Sequence, residues 1–126
     1  MAYPDIIELT GPSSNLLATP DVYDSAAVED SAVPKGSPGN LYGMSGYNNS
    51  GSTVYIQIHN ATSLPAASTA VGTGIIVKVL ANTHWAWDAG RHGTELSVGI
   101  VIAASSTATT LTVKTDSNQL FRVDYK

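Results

Sequence analysis

Residues 53–59 read Thr-Val-Tyr-Ile-Gln-Ile-His, and this heptapeptide decides the fold class. Its three aliphatic residues, Val54, Ile56 and Ile58, alternate with residues that carry a polar group. A hydrophobic period of two is typical of a β-strand with one buried face. Since no segment of the chain shows apolar residues at helical spacing over three turns, the sequence predicts an all-β protein.

The segment just before this strand indicates a partner for it. Residues 41–47 read Leu-Tyr-Gly-Met-Ser-Gly-Tyr, and they are followed by Asn-Asn-Ser-Gly at 48–51. Asn and Gly tolerate the positive φ angles that tight hairpin turns require. The sequence therefore predicts a hairpin between 41–47 and 53–59.

Short strand-like runs continue to the end of the chain, at 75–80, 84–88, 96–104, 110–114 and 120–126. The run at 96–104 has large residues on one face and small ones on the other, which predicts a central strand with a segment packed closely over Gly99. Residues 88–93 contain two glycines and predict a tight loop. Six to eight short strands joined by Gly, Ser and Asn turns favour an antiparallel β-sandwich or a small barrel.

The first forty residues differ from the rest in charge and proline content. They contain six acidic residues, one basic residue and five of the six prolines, whereas residues 41–126 have a net charge of +1. Because proline favours extended backbone, we predict an extended acidic arm over 1–40 and a β-domain over 41–126. An arm that orders by docking on another chain would use its apolar side chains; a surface-hugging or disordered tail is the alternative. The candidate docking residues are Ile6, Ile7, Leu9, Leu16 and Leu17.

Several kinds of chemistry have no support in the sequence. Cysteine is absent and the net charge is −4, which argue against thiol chemistry and against nucleic acid as a partner. Neither a membrane-length apolar run nor a secretion-signal pattern is present. There is no nucleophile elbow or phosphate loop, so we expect no enzyme and no cofactor. His84, Asp88 and His92 are spaced for a metal on a helix, but the flanking tryptophans and glycines predict strand and loop.

Trp85 and Trp87 lie on one face of the predicted strand at 84–88. With Tyr42, Tyr47 and Tyr55 they could form an aromatic platform for a sugar or a protein partner. Alternatively, both indoles fill the core of a chain that has a single Phe.

Four stretches carry a resemblance to a known group of proteins: 41–51, 55–65, the Gly-Arg-His-Gly at 90–93, and 95–112. These stretches contain a Tyr-Ile-Gln strand, a Gly-x-x-Gly loop and a Gly-Ile-Val-Ile-Ala strand, in the order found in small virion proteins of tailed bacteriophages. The chain resembles these proteins over residues 40–126, and the resemblance does not cover the arm.

The resemblance implies a non-enzymatic β-domain that acts as a capsid decoration, or cement, protein. It further implies the major capsid protein as partner, a homo-oligomer (a trimer being expected), and a location on the capsid surface of the virion, with residence in the host cytoplasm during assembly. Two other functions remain open from the sequence. One is a tail, neck or head-fibre component, and the other is a glycan-binding β-module that uses surface aromatic residues.

Overall fold

The computed structural model describes residues 19–116 and 118–126, and within these residues every regular element is a β-strand. No helix in the described part of the chain is long and apolar enough to cross a membrane. The strands are β1 (Asp21–Asp24), β2 (Ser31–Lys35), β3 (Gly39–Asn48), β4 (Val54–His59), β5 (Ile76–Val79), β6 (His84–Asp88), β7 (Thr94–Leu96), β8 (Ile100–Ser105) and β9 (Gln119–Tyr125).

The strands form two antiparallel sheets that pack face to face. Sheet A has the order β1-β9-β3-β6, with β7 paired to β3 in line with β6, and sheet B has the order β2-β8-β4-β5. The predicted all-β sandwich is therefore confirmed. Its core lies between the sheets and is built from alternate residues of the central strands, as period-two burial requires. The fully buried aliphatic side chains include Leu41 and Val123 from sheet A and Val54, Ile56, Ile58, Ile100 and Ile102 from sheet B.

The predicted hairpin between 41–47 and 53–59 is wrong. β3 pairs with β6, β7 and β9 in sheet A, whereas β4 pairs with β5 and β8 in sheet B. The buried Asn48 holds the connecting segment across the two sheets instead of in a two-strand turn. Its amide nitrogen donates to the carbonyl oxygens of Ser52 at 2.9 Å and Leu80 at 3.1 Å, and its Oδ1 accepts from Ser50 and from Gln119.

The predicted strand at 96–104 is two strands in two sheets. β7 ends at Leu96, the chain crosses the sandwich, and β8 begins at Ile100. Val98, which the alternation places inside, is 43% exposed in the crossing. The expected close approach over Gly99 is confirmed, because a Cβ there would overlap the carbonyl oxygen of Ala61. β8 is also central, between β2 and β4.

The predicted boundary at residue 40 needs correction. β1 pairs antiparallel with β9 and β2 with β8, so residues 21–35 contribute edge strands to both sheets of the body. Pro34 lies in β2 and does not prevent its pairing with β8, because an edge strand is hydrogen-bonded on only one side. The register of β2 against β8 also shifts between Ala32 and Lys35. Residues 1–18, here termed the leader, lie outside the described residues.

The outer face of sheet B is covered by the chain itself. Every residue of β8 is buried, as are Gln57 and His59 on the outer side of β4. Gln57 donates to carbonyl oxygens of the 107–110 turn at 2.8 to 3.0 Å, and its Oε1 bonds with Nε2 of His59 at 2.9 Å. The outer face of sheet A is therefore the more open of the two.

Candidate functional site

The outer face of sheet A carries two adjoining clefts, which we call the sheet A groove. The first has a volume of about 610 Å³ and the second about 420 Å³, and Ser45 borders both. β3 forms the middle of the groove, because its residues 43, 45 and 47 point away from the core while Met44 points into it. Register then determines the neighbours of each residue: Gly43 pairs with Asp88, Ser45 with Ala86, and Tyr47 with His84.

The first cleft lies where β3 and β6 approach the 89–93 loop. Tyr42, Asp88, Arg91 and His92 border it, together with Trp87, Asp124 and Pro20. The predicted tight loop is confirmed: Gly90 and Gly93 have φ angles of +87° and +71°, and Gly90 donates its N–H to Oδ1 of Asp88 at 2.8 Å. The loop therefore presents a guanidinium, an imidazole and a carboxylate on one rim.

The second cleft is bordered by an aromatic pair and an ion-paired arginine. The rings of Tyr47 and His84 are 4.6 Å apart between centroids and tilted by 55°. Arg122 lies between two carboxylates, with nitrogen–oxygen distances of 3.4 Å to Asp24 and 3.5 Å to Asp124. Leu120, 39% exposed, adds an apolar contact beside Tyr47. This end of the groove combines an aromatic surface with fixed donors and acceptors.

The two tryptophans of the predicted platform do not lie together on the surface. Trp85 is 8% exposed and belongs to the core, where its ring occupies the space left by Gly46; a Cβ at Gly46 would lie 2.8 Å from that ring. Trp87 is half-buried, packs against the core and borders the first cleft. The alternative interpretation, in which the indoles fill the core, is correct for Trp85.

The fold separates His84, Asp88 and His92, the three residues whose spacing in the sequence would suit a metal site on a helix. His84 borders the second cleft, whereas Asp88 and His92 border the first. Within residues 19–116 and 118–126 no three His, Asp or Glu side chains are grouped to hold a metal ion.

The predicted docking residues Ile6, Ile7, Leu9, Leu16 and Leu17 all lie in the leader, outside the described residues. The groove residues Tyr42, Tyr47, Arg122 and Asp124 come from strands distant in sequence, and no local motif joins them. Strand alternation places Arg122 and Asp124 on one face of β9. It does not show that β9 pairs with β3, which brings these two residues into the groove.

Comparisons of the chain with protein-family models, with curated proteins and with solved structures found no match. The function of the chain is therefore inferred from its own residues.

Proposed function

We propose that this chain is a non-enzymatic structural protein of a tailed-bacteriophage virion, a decoration protein that binds the head lattice and stabilises the capsid. Its partner is the major capsid protein, and it acts as a homo-oligomer, proposed to be a trimer, on the capsid surface after passing through the host cytoplasm during assembly. The sequence resemblance over residues 40–126 supports the virion assignment.

The observation that carries the proposal is the way the body holds the residues that follow the leader. β1 is paired with β9 over all four of its residues, and β2 is paired with β8, one of the two inner strands of the other sheet. The hydroxyls of Tyr23 in β1 and of Ser25 just after it donate to the Glu29 carboxylate, and Oγ of Ser25 accepts the N–H of Phe121 at 2.9 Å. Tension on the leader would therefore be borne first by the β1–β9 pairing and then, through the chain, by the β2–β8 pairing, so the body could anchor a docked leader.

The leader itself has the composition of a docking segment. It contains five large aliphatic residues, two acidic residues and no lysine or arginine. Such a segment binding one capsid subunit while the body binds another raises the effective concentration of each contact. Many weak contacts made together would resist the outward pressure of packaged DNA.

The test uses the full-length chain with matched leader variants. Ile6→Asp combined with Ile7→Asp should abolish stoichiometric binding to expanded capsids of the encoding phage, measured by co-sedimentation. Ser13→Asp combined with Ser14→Asp adds the same charge at polar positions of the same segment and should preserve binding. Equal binding by both variants, or no binding of the unaltered chain, would contradict the proposal.

A tail, neck or head-fibre component is the second candidate, since the resemblance applies to virion proteins in general. Gold labelling of intact particles separates the two. Label spread evenly over the whole head supports a decoration protein, whereas label confined to the tail or the neck, or to a few fibres that project from the head, supports the alternative.

A further inference from the structure

We propose that the sheet A groove binds a neutral oligosaccharide through its side chains. This inference goes beyond the structural role proposed above, and it does not use the leader. It would make the same protein an adhesive surface of the particle.

The shape of the groove suits a chain of sugar rings. Tyr42 borders one end and the Tyr47–His84 pair borders the other, and aromatic faces of this kind pack against the apolar faces of ring-shaped ligands. Gly43 and Ser45 form the floor between them, and the exposed Ala86 continues it onto β6, whereas the Arg122 side chain flanks Ser45 on the β9 side. Four residues of strand separate Gly43 from Tyr47, which corresponds to about 13 Å. The ligand is therefore elongated, longer than one sugar ring.

The polar groups of the groove are those that recognise hydroxyls. Asp88 and Asp124 can accept hydrogen bonds, and Arg91 and Arg122 can donate several in a planar arrangement. A hydroxyl both donates and accepts, so it can bridge a carboxylate and a guanidinium. Few other neutral ligands satisfy both kinds of partner along the whole length of a groove.

Charge argues against an anionic ligand. Three carboxylates, from Asp24, Asp88 and Asp124, line the groove against two guanidinium groups. Arg122 is already ion-paired with Asp24 and Asp124, so little positive charge remains to attract a polyanion. A neutral ligand meets neither repulsion nor an unpaired buried charge.

The position of the groove argues against a peptide. Extended peptides gain affinity chiefly by adding a strand to an exposed sheet edge. The floor of the groove is formed by β3, whose backbone is hydrogen-bonded to β9 on one side and to β6 and β7 on the other. A ligand lying there must be recognised by side chains, as saccharides are.

The experiment titrates the full-length protein with maltohexaose, cellohexaose and xylohexaose as neutral probes, and with hyaluronan and polysialic acid oligomers as anionic ones. Calorimetry should show saturable binding of at least one neutral probe and none of the anionic ones. Tyr47→Ala should weaken that binding at least about tenfold, whereas Tyr55→Ala, which removes the same side chain from the outer side of sheet B, should leave it unchanged.

A second variant covers the possibility that Tyr47→Ala fails to fold. Ala86→Trp places a bulky ring on the exposed floor of the groove and should also abolish binding. Absence of binding by every neutral probe, preference for an anionic probe, or full binding by both groove variants would overturn the proposal. Capsid co-sedimentation of the folded groove variants should match that of the unaltered chain, so failure of this inference and failure of the proposed function are distinguishable.

Discussion

Replacing Asn48 by alanine should destabilise the sandwich more than most single substitutions. Asn48 is fully buried and bonds to both crossings, 49–53 and 80–83, as well as to Gln119 on β9. Alanine would leave Nε2 of Gln119 and the N–H of Ser50 without their acceptor, and both residues are buried. At about 1–3 kcal/mol for each buried group left unpaired, the expected loss is about 3 kcal/mol. For a domain of this size that loss lowers Tm by about 12 °C.

The assay is urea unfolding followed by the fluorescence of Trp85 and Trp87, with a thermal scan for Tm. Asn49→Ala is the matched control, since it removes the same side chain from the adjacent, exposed position. It should change Tm by no more than about 2 °C, as expected for a surface substitution. A Tm for Asn48→Ala within about 3 °C of the control would refute the reasoning that this side chain holds the two crossings together.

Three further predictions concern other contacts. Gly99→Ala should lower the free energy of unfolding by about 2 kcal/mol or more in urea titrations, because the new methyl group overlaps a backbone oxygen, whereas Gly51→Ala, which meets open space, should have little effect. Burial lowers the pKa of His59 below 6.5, so the free energy of unfolding should fall as the pH drops below 6.5. Urea denaturation at pH 7.5 and 5.5 measures this loss. The loss should be smaller in His59→Gln and unchanged in the control His92→Gln, which alters an exposed histidine. Burial and a neighbouring glutamate raise the pKa of Tyr23 from 10.0 to about 12. The stability that this residue contributes is therefore present below pH 10 and lost between pH 10 and 12. Tyr23→Phe should flatten this alkaline decline and lower the free energy of unfolding at pH 7 by about 1 kcal/mol. An unchanged pH dependence in His59→Gln or in Tyr23→Phe would contradict the corresponding assignment.

Local alternation predicted β4, β5 and β6 correctly, but it joined β7 and β8 into one strand, and the run predicted at 110–114 forms only isolated bridges. The residues of β4 that alternation placed inside, Val54, Ile56 and Ile58, are buried as expected. The partner of β3 was mispredicted because Asn and Gly at 48–51 suit a hairpin turn as well as a crossing between sheets. What selects the crossing is hydrogen bonding between Asn48 and residues 32 and 71 positions away, which no local pattern encodes.

The division between arm and body failed for a related reason. Acidic residues and prolines at 20–40 suggest a segment outside the core, and the structure places them largely in two edge strands, of which β1 is mostly exposed and β2 is half-buried. Composition indicates how exposed a segment is, but it does not distinguish an edge strand from an arm. Pairing with β9 and β8 depends on strands about 70 to 100 residues further along the chain.

The candidate site was the least predictable feature. Its members lie on β1, β3, β6, β9 and the 89–93 loop, and antiparallel register brings these elements together only in the folded sheet. For Trp85 the sequence suggested a site residue that is in fact part of the core. An indole is typical of a binding surface, but Gly46, its partner on β3, leaves room for the ring inside the sandwich. That pairing is invisible until the register is known.

A reconstruction of the virion that is proposed to carry this chain tests the central claim most directly. We expect β-sandwich density in a symmetric arrangement over the outer surface of the head, with the segment before β1 extending onto a neighbouring capsid subunit. Density restricted to the tail or neck, or a head surface without this sandwich, would contradict it.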